Sequence, residues 1–121
     1  MDKPAGMTSH DVVARARRVL GERSIGHTGT LDPFATGLLV LLVGKGTRVA
    51  RFLDGLGKTY LATARLGQRT ATDDLTGEPV GPAHEGPLPT REVVAGALAG
   101  FLGVQAQTPP AYSARKQGGE R

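Results

Sequence analysis

The sequence has no cysteine and no tryptophan, and aromatic residues make up only 4% of its 121 residues. Without cysteine there can be no disulfide, thiolate zinc site, iron–sulfur cluster or catalytic thiol, and this composition is typical of a reducing compartment. The longest apolar run, Leu38 to Val43, is far shorter than the ~20 residues of a membrane-spanning helix. No apolar signal-peptide core follows Met1. We therefore expect a cytoplasmic protein with no membrane partner.

Hydrophobic residues at 39% and charged residues at 21% are typical of a folded chain, and the length suits one modest domain. The net charge of +4 is unevenly distributed. Residues 1–53 contain eight Lys and Arg against four Asp and Glu, whereas residues 54–121 contain seven of each. A basic half indicates a polyanionic partner such as a nucleic acid, although a solvated basic face with no partner explains the charge equally well.

Hydrophobic periodicity predicts three helices and two strands. Thr8 or Ser9 caps the first helix, Asp11 completes an approximate capping box, and Gly21 ends the helix. The other predictions, in chain order, are an ordered loop at 24–37, a strand buried on both faces at 38–43, a short helix at 46–53, an alternating strand at 58–66, a long loop or hairpin at 67–89 and a helix capped by Thr90. This order predicts an α/β or α+β domain.

Two familiar motifs are excluded by their spacing. The run Gly44 to Thr47 suggests a phosphate-binding loop, but Leu39 stands where a Walker motif needs glycine, and Gly46 stands where it needs serine or threonine. The pair His84-Glu85 lacks the second histidine of a zinc-protease helix, because Leu88 occupies that position.

Other chemistry has little support. Asp73-Asp74 is the only adjacent pair of carboxylates, and solvated turn residues explain it better than a metal site does. Neither Ser9 nor Ser113 has the glycine pattern of a nucleophile elbow. We therefore expect no metal and no organic cofactor.

The most informative segment is the glycine-rich run 26–37, which contains Asp32. The proline that follows disfavours a helical conformation for Asp32, and the flanking glycines allow another molecule to approach the backbone closely. A carboxylate on such a loop, near His27 and within the basic half, could act as a nucleophile or as a general acid or base. An Asx-turn or capping role for Asp32 is the simpler alternative.

This segment, Gly26-His27-Thr28-Gly29-Thr30-Leu31-Asp32-Pro33-Phe34-Ala35-Thr36-Gly37, resembles the catalytic motif of the TruB-type tRNA pseudouridine synthases. Four further segments resemble motifs of the same family in the expected order: Asp2 to Ser9, Lys58-Thr59-Tyr60, Leu66 to Thr70 with Thr72, Asp74 and Gly77, and Pro109 to Lys116. The similarity extends over essentially the whole chain.

The resemblance implies an isomerase that converts a uridine in the T-arm of tRNA to pseudouridine by flipping the base and using a carboxylate. Asp32 matches the catalytic carboxylate, His27 a residue that displaces or stacks near the flipped base, and Tyr60 an aromatic that stacks on the uracil and takes the leaving proton. Lys3 is a further substrate-binding candidate, Lys116 a weaker one, and Arg15, Arg17 and Arg18 are candidate phosphate contacts. Each has a simpler alternative, namely a loop hydrogen bond for His27, core packing for Tyr60 and solvation for the arginines.

The resemblance also implies an α+β fold, with a mixed sheet of the pseudouridine-synthase type flanked by helices and incomplete at both ends. Residues 1–121 would form the N-terminal part of the catalytic domain, without its C-terminal strands, the arginine that pairs with the catalytic carboxylate, or the RNA-binding domain. We expect the full-length protein to be a monomer. The alternative function is a non-catalytic basic RNA-binding module or an inactive remnant.

Overall fold

The computed structural model describes residues 1–108, which divide into a first compact unit, Met1–Tyr60, and a second unit that begins at Leu61. The predicted loop from Pro109 to Lys116 lies outside the described residues. Within residues 1–108, no helix is long and apolar enough to cross a membrane. The helices and strands of the first unit are β1 (Asp2–Lys3), α1 (Ser9–Leu20), β2 (Ile25–Thr28), β3 (Gly37–Leu38), β4 (Val40–Val43), a 3-10 helix (Gly44–Val49) and α2 (Ala50–Leu53).

Helix α1 begins and ends as its sequence predicts. Thr8 is the N-cap, and its hydroxyl accepts a hydrogen bond from the backbone N–H of Asp11 at 3.0 Å. The Asp11 carboxylate accepts in return from the backbone N–H of Thr8 at 2.9 Å, which completes the capping box. Gly21 ends the helix in the left-handed conformation, with φ 63°.

The extended segment 37–43, which contains the apolar run, pairs with two different strands. Its first part, β3, is antiparallel to β1, while its second part, β4, is antiparallel to β2 over four residue pairs. Leu39, between β3 and β4, exchanges two backbone hydrogen bonds with Met1, at 2.8 and 3.1 Å. The prediction of a strand buried on both faces was wrong, since Leu38 is 77% exposed and Val43 is 44% exposed, whereas Leu39 is fully buried.

The prediction of a loop at 24–37 was also partly wrong, because Ile25–Thr28 forms β2. The four residues have little hydrophobic pattern of their own, and β4 supplies the backbone partners that make them a strand.

The core lies in the first unit. Helix α1 packs against β2, and the buried apolar side chains of the described residues are Val12, Val13, Ile25, Leu39 and Leu42. Val19 and Leu20, which continue the apolar spacing of α1, are 75% and 58% exposed, so only the N-terminal half of the helix is covered.

The predicted helix at 46–53 is present as the 3-10 helix followed by the single turn of α2. The predicted strand at 58–66 is absent, since none of these residues is assigned to a strand. Alternation of side chains is not sufficient for a strand, because a strand also needs a neighbour whose N–H and C=O groups pair with its own.

The second unit contains a short hairpin, β5 (Arg69–Thr70) with β6 (Pro79–Val80), and helix α3 (Arg91–Ala99). The hairpin agrees with the prediction for 67–89, and Thr90 caps α3 by accepting from the N–H of Val93. The observed architecture is mixed, with helices and three two-stranded antiparallel sheets. This is compatible with the predicted α+β class, but a single mixed sheet is not formed by the residues described.

Candidate active site

Asp32 lies in a tight turn between β2 and β3. The backbone N–H of Ala35 donates to the carbonyl oxygen of Asp32 at 3.0 Å, which closes a turn with Pro33 at the position where proline is favoured. The Asp32 residue is exposed, and within residues 1–108 no donor is hydrogen-bonded to its carboxylate. The Asx-turn alternative therefore does not account for the side chain, because the turn uses only the backbone of Asp32.

The residue before Asp32 is held by a buried hydroxyl. The Ser9 Oγ accepts from the backbone N–H of Leu31 at 2.9 Å and donates to the carbonyl oxygen of Leu31 at 3.2 Å. Ser9 is only 2% exposed and occupies the first position of α1. The helix thus contacts the turn through both backbone groups of Leu31.

The residue after Asp32 is held from the other side. The Pro33 carbonyl oxygen accepts from the backbone N–H of Gly6 at 2.8 Å and from the Lys3 ammonium at 3.2 Å. The same ammonium donates to the carbonyl oxygens of Met7 at 2.6 Å and Pro4 at 3.0 Å. The residue before Asp32 and the residue after it are therefore both hydrogen-bonded to the segment 3–9.

The burial of Lys3 does not fit its predicted role as a substrate-binding residue. Lys3 is fully buried, and its three carbonyl partners match the three donors of an ammonium group. A lysine whose donors are all used inside the protein has none left for an RNA phosphate. We therefore correct this prediction and assign Lys3 to holding the turn.

His27 lies on β2, opposite Leu41, and is half-buried. Its Nδ1 is 3.0 Å from the carbonyl oxygen of Gly29. Because a carbonyl can only accept, this contact assigns the proton to Nδ1 and leaves Nε2 as the atom that can meet a ligand. The loop hydrogen bond proposed as the simpler role of His27 is therefore present, and it leaves Nε2 unengaged.

Tyr60 is 67% exposed, so the core-packing alternative does not hold for it within the described residues. No hydrogen bond within residues 1–108 joins its side chain to Asp32 or His27.

Two residues before Tyr60, the Lys58 ammonium donates to the carbonyl oxygens of Asp54 at 3.1 Å and Leu56 at 3.4 Å. The stem of Lys58 lies against Gly29, with Cε 3.5 Å from the place where a Cβ would stand.

The three arginines of α1 differ in their surroundings. All three are exposed, as phosphate contacts require. The guanidinium Nη2 of Arg17 also donates to the carbonyl oxygen of Ile25 at 2.7 Å and so links α1 to β2. Of the three, Arg17 therefore has a structural partner in the first unit.

Three acidic residues outside the turn, Asp11, Asp74 and Glu92, have lowered pKa values. Hydrogen bonds from the hydroxyl and the backbone of Thr8 hold the pKa of Asp11 below its ordinary value, and the charge of His10 acts in the same direction. The hydroxyls of Thr72 and Thr76, each 2.6 Å away, lower the pKa of Asp74.

Asp73 and Asp74 both have local hydrogen-bonding partners. Asp73 pairs with Arg69 at 3.1 Å, and Asp74 accepts from threonines within its own turn. Residues 1–108 contain no group of three His, Cys, Asp or Glu side chains placed to hold a metal ion. The pair is a set of turn carboxylates with local partners.

Sequence reasoning missed the roles of Ser9 and Gly6. The sequence suggests Ser9 as a helix cap or a nucleophile, whereas in the structure its hydroxyl contacts the Leu31 backbone, and Gly6 contributes through its backbone N–H. The only available signal was their place in the segment Asp2 to Ser9, whose resemblance to a family motif does not tell which atoms it contacts.

Comparison with known families defines the class. Residues 17–121 match the family described as TruB family pseudouridylate synthase (N terminal domain). Since this match covers most of the chain, the chain belongs to the TruB family.

Three relatives that share one name align with nearly the whole chain. The chain is 54% identical over 121 residues to the tRNA pseudouridine synthase B of Gloeobacter violaceus and 50% identical over 121 residues to that of an Arthrobacter species. It is 50% identical over 119 residues to the protein of the same name from Opitutus terrae. The whole chain is covered in the first two alignments and 98% of it in the third, but the aligned part is 41%, 39% and 49% of those relatives. The chain thus spans 39–49% of the length of these relatives.

Proposed function

We propose that this chain is the N-terminal part of the catalytic domain of a tRNA pseudouridine synthase, and that the protein isomerises a uridine in the T-arm of tRNA to pseudouridine. Membership of the TruB family supports the class of reaction. The observation that supports the site is the turn at Asp32, which leaves one exposed carboxylate on a backbone held at both neighbouring residues.

The reaction breaks the bond between the ribose C1′ and N1 of uracil, turns the base over and joins C1′ to C5. The proton on C5 is lost and N1 gains one, so no electrons enter or leave. A base inside a helical stack cannot turn over, and the uridine must therefore be flipped out to reach the enzyme. The exposed position of Asp32 is compatible with a flipped nucleotide as its partner.

In this proposal Asp32 acts directly on the ribose or the uracil, either as a nucleophile or as a base. His27 displaces or stacks beside the flipped base and presents Nε2, because Nδ1 is engaged by Gly29. Tyr60 offers an exposed ring that stacks on the uracil and takes the leaving proton. Arg15 and Arg18 contact phosphates, and the protein is a cytoplasmic monomer when full length.

The test is formation of pseudouridine in a transcript of the tRNA T-arm by the full-length protein that carries this sequence. The Asp32→Asn variant keeps the size of the side chain and removes its charge, so we expect no measurable product and nearly unchanged RNA affinity. Asp54→Asn is the matched control, since Asp54 is also exposed and lies outside the turn. Equal product from the parent and the Asp32→Asn variant would contradict the proposed role of Asp32.

The alternative is a non-catalytic RNA-binding module, favoured by the excess of basic residues in the first half. Under this alternative the parent protein binds the T-arm transcript and forms no pseudouridine. The same experiment therefore distinguishes the two functions, provided that RNA binding is measured alongside product.

A further inference from the structure

The hydroxyl of Ser9 forms hydrogen bonds with both backbone groups of Leu31, as the backbone of a neighbouring strand would. A hydroxyl has one proton and two lone pairs, so it can donate to the carbonyl of Leu31 and accept from its N–H at the same time. The bond from the Leu31 N–H, at 2.9 Å, has an ordinary length, whereas the bond from the hydroxyl to the Leu31 carbonyl, at 3.2 Å, is long for an O–H donor. The Ser9 side chain is 2% exposed. The Leu31 backbone is thus held at both of its polar groups by a buried side chain.

This contact determines the orientation of the peptide plane that leads into Asp32. The Leu31 carbonyl belongs to the peptide bond between Leu31 and Asp32, and a hydrogen bond to its oxygen limits rotation of that plane. On the other side, the ring of Pro33 restricts the backbone of Asp32, and the turn bond from Ala35 holds the Asp32 carbonyl. With both adjacent peptide planes held, the side-chain torsions of Asp32 are the main freedom left to its carboxylate.

Ser9 itself lies on a rigid support. It follows the N-cap Thr8, whose capping box with Asp11 orders the first turn of α1. One turn further on, Val12 and Val13 are buried in the core of the first unit. The position of the hydroxyl is therefore set by the helix and its packing.

We propose that Ser9 is a positioning residue for the isomerisation, acting through Leu31 to place the Asp32 carboxylate. This inference rests on the proposed function. A positioning role and a purely structural role have different consequences. If Ser9 positions Asp32, loss of the hydroxyl misplaces one carboxylate and slows the chemical step, while RNA binding is retained. A displacement of the order of 1 Å at a reacting group can cost up to about 100-fold in rate.

The experiment measures single-turnover pseudouridine formation and the Kd for a T-arm transcript with the full-length protein. For Ser9→Ala we expect a rate lower by about 10- to 100-fold and a Kd within about twofold of the parent. Ser9→Cys retains the packing with a much weaker hydrogen-bonding group and provides the test if Ser9→Ala does not fold. Ser9→Thr restores the hydroxyl, and we expect it to recover most of the lost rate.

Thr47→Ala is the matched control. The Thr47 hydroxyl also donates to a backbone carbonyl, that of Gly44 at 2.9 Å in a partly buried setting, but it lies in the 3-10 helix outside the Asp32 turn. We expect this variant to lose stability without losing rate. If Ser9→Ala and Ser9→Cys turn over within twofold of the parent, or lose no more rate than Thr47→Ala, the inference is overturned.

The outcomes for the inference and for the proposed function are separate. Asp32-dependent product together with unaffected Ser9 variants overturns the inference alone. Absence of Asp32-dependent product from the parent protein overturns the proposed function, and the inference with it.

Discussion

The ammonium of Lys3 donates a hydrogen bond to the carbonyl oxygen of Pro33, 30 positions along the chain, at 3.2 Å. Pro33 directly follows Asp32, so the side chain of the third residue helps to hold the candidate catalytic turn. The two other carbonyls on the same ammonium belong to Pro4 and Met7. Lys3 thus joins its own loop to the turn.

Replacing Lys3 by methionine retains the length and bulk of the side chain and removes the charge-assisted hydrogen bonds. Three carbonyls then lose a partner, and we expect the free energy of unfolding to fall by roughly 2–4 kcal/mol. Urea unfolding monitored by circular dichroism measures this change. Lys45→Met, at an exposed position, is the control and should change stability by less than about 0.5 kcal/mol. Equal stability of the two variants would show that the buried contacts of Lys3 contribute little.

Removing the exposed arginines of α1 should weaken RNA binding in a salt-dependent way. For the double variant Arg15→Ala, Arg18→Ala, loss of up to two phosphate contacts would reduce the slope of log Kd against log salt concentration by about 1–2. Titrations of a T-arm transcript between low and physiological salt measure this slope. Arg17→Ala is the comparison, because its guanidinium bonds to Ile25 and its loss should reduce stability more than the slope. An unchanged slope in the double variant would assign these arginines to a solvated face.

The capping box predicts how the stability of the first unit depends on pH. The pKa of Asp11 is lowered in the folded protein by hydrogen bonds from Thr8, so at acidic pH the unfolded chain binds more protons at this site. The stabilisation is complete above the ordinary carboxylate pKa and is lost as the pH falls through the lowered folded value.

Asp11→Asn removes this titration, so its stability should depend less on pH in the acidic range than that of the parent. Urea unfolding at intervals between about pH 5 and pH 2 measures the difference. Asp54→Asn, at an exposed residue outside the capping box, provides the control and should retain the acid dependence of the parent. If Asp11→Asn and the parent lost stability in parallel, the capping carboxylate would not be the source of the effect.

Gly29 is a position where an added side chain should be costly. Its φ is +76°, in the left-handed region, and its carbonyl accepts the hydrogen bond from His27. For Gly29→Ala we expect a loss of roughly 1–2 kcal/mol in the free energy of unfolding, from the backbone conformation alone. Space is not the cause, because the Cβ would make an ordinary contact with Lys58 at 3.5 Å.

Gly46→Ala is the control for this effect. Gly46 has nothing within 4 Å of an added Cβ and does not have a positive φ. We expect it to be neutral or slightly stabilising in thermal unfolding. A loss at Gly46 as large as that at Gly29 would argue against backbone strain as the reason.

Local chemistry explains which elements could be predicted. The capping box, the glycine at the end of α1, the N-cap Thr90 and the hairpin within 67–89 all depend on residues a few positions apart. The strand Ile25–Thr28 could not be predicted in this way, because its pattern is weak and its partner begins twelve residues later at Val40. The predicted strand at 58–66 fails for the related reason that alternation does not supply a partner.

For the candidate site residues, the sequence predicted the type of chemistry but not which atoms each side chain contacts. Asp32 in its glycine-rich run pointed to a carboxylate on a stiff turn, and the family match gives the class of protein. The burial of Lys3 was not predictable, because a lysine normally faces solvent, and here three converging carbonyls accept hydrogen bonds from its ammonium.

The amino-acid sequence alone determined the family, the basic first half, the caps of α1 and the placement of one carboxylate before a proline. The tertiary structure decided which groups hold the backbone on either side of Asp32, namely Ser9 on Leu31 and Gly6 and Lys3 on Pro33. The physical reason is range: a cap or a turn is completed within a few residues, whereas a hydrogen bond across 22 or 30 positions exists only after the chain has folded.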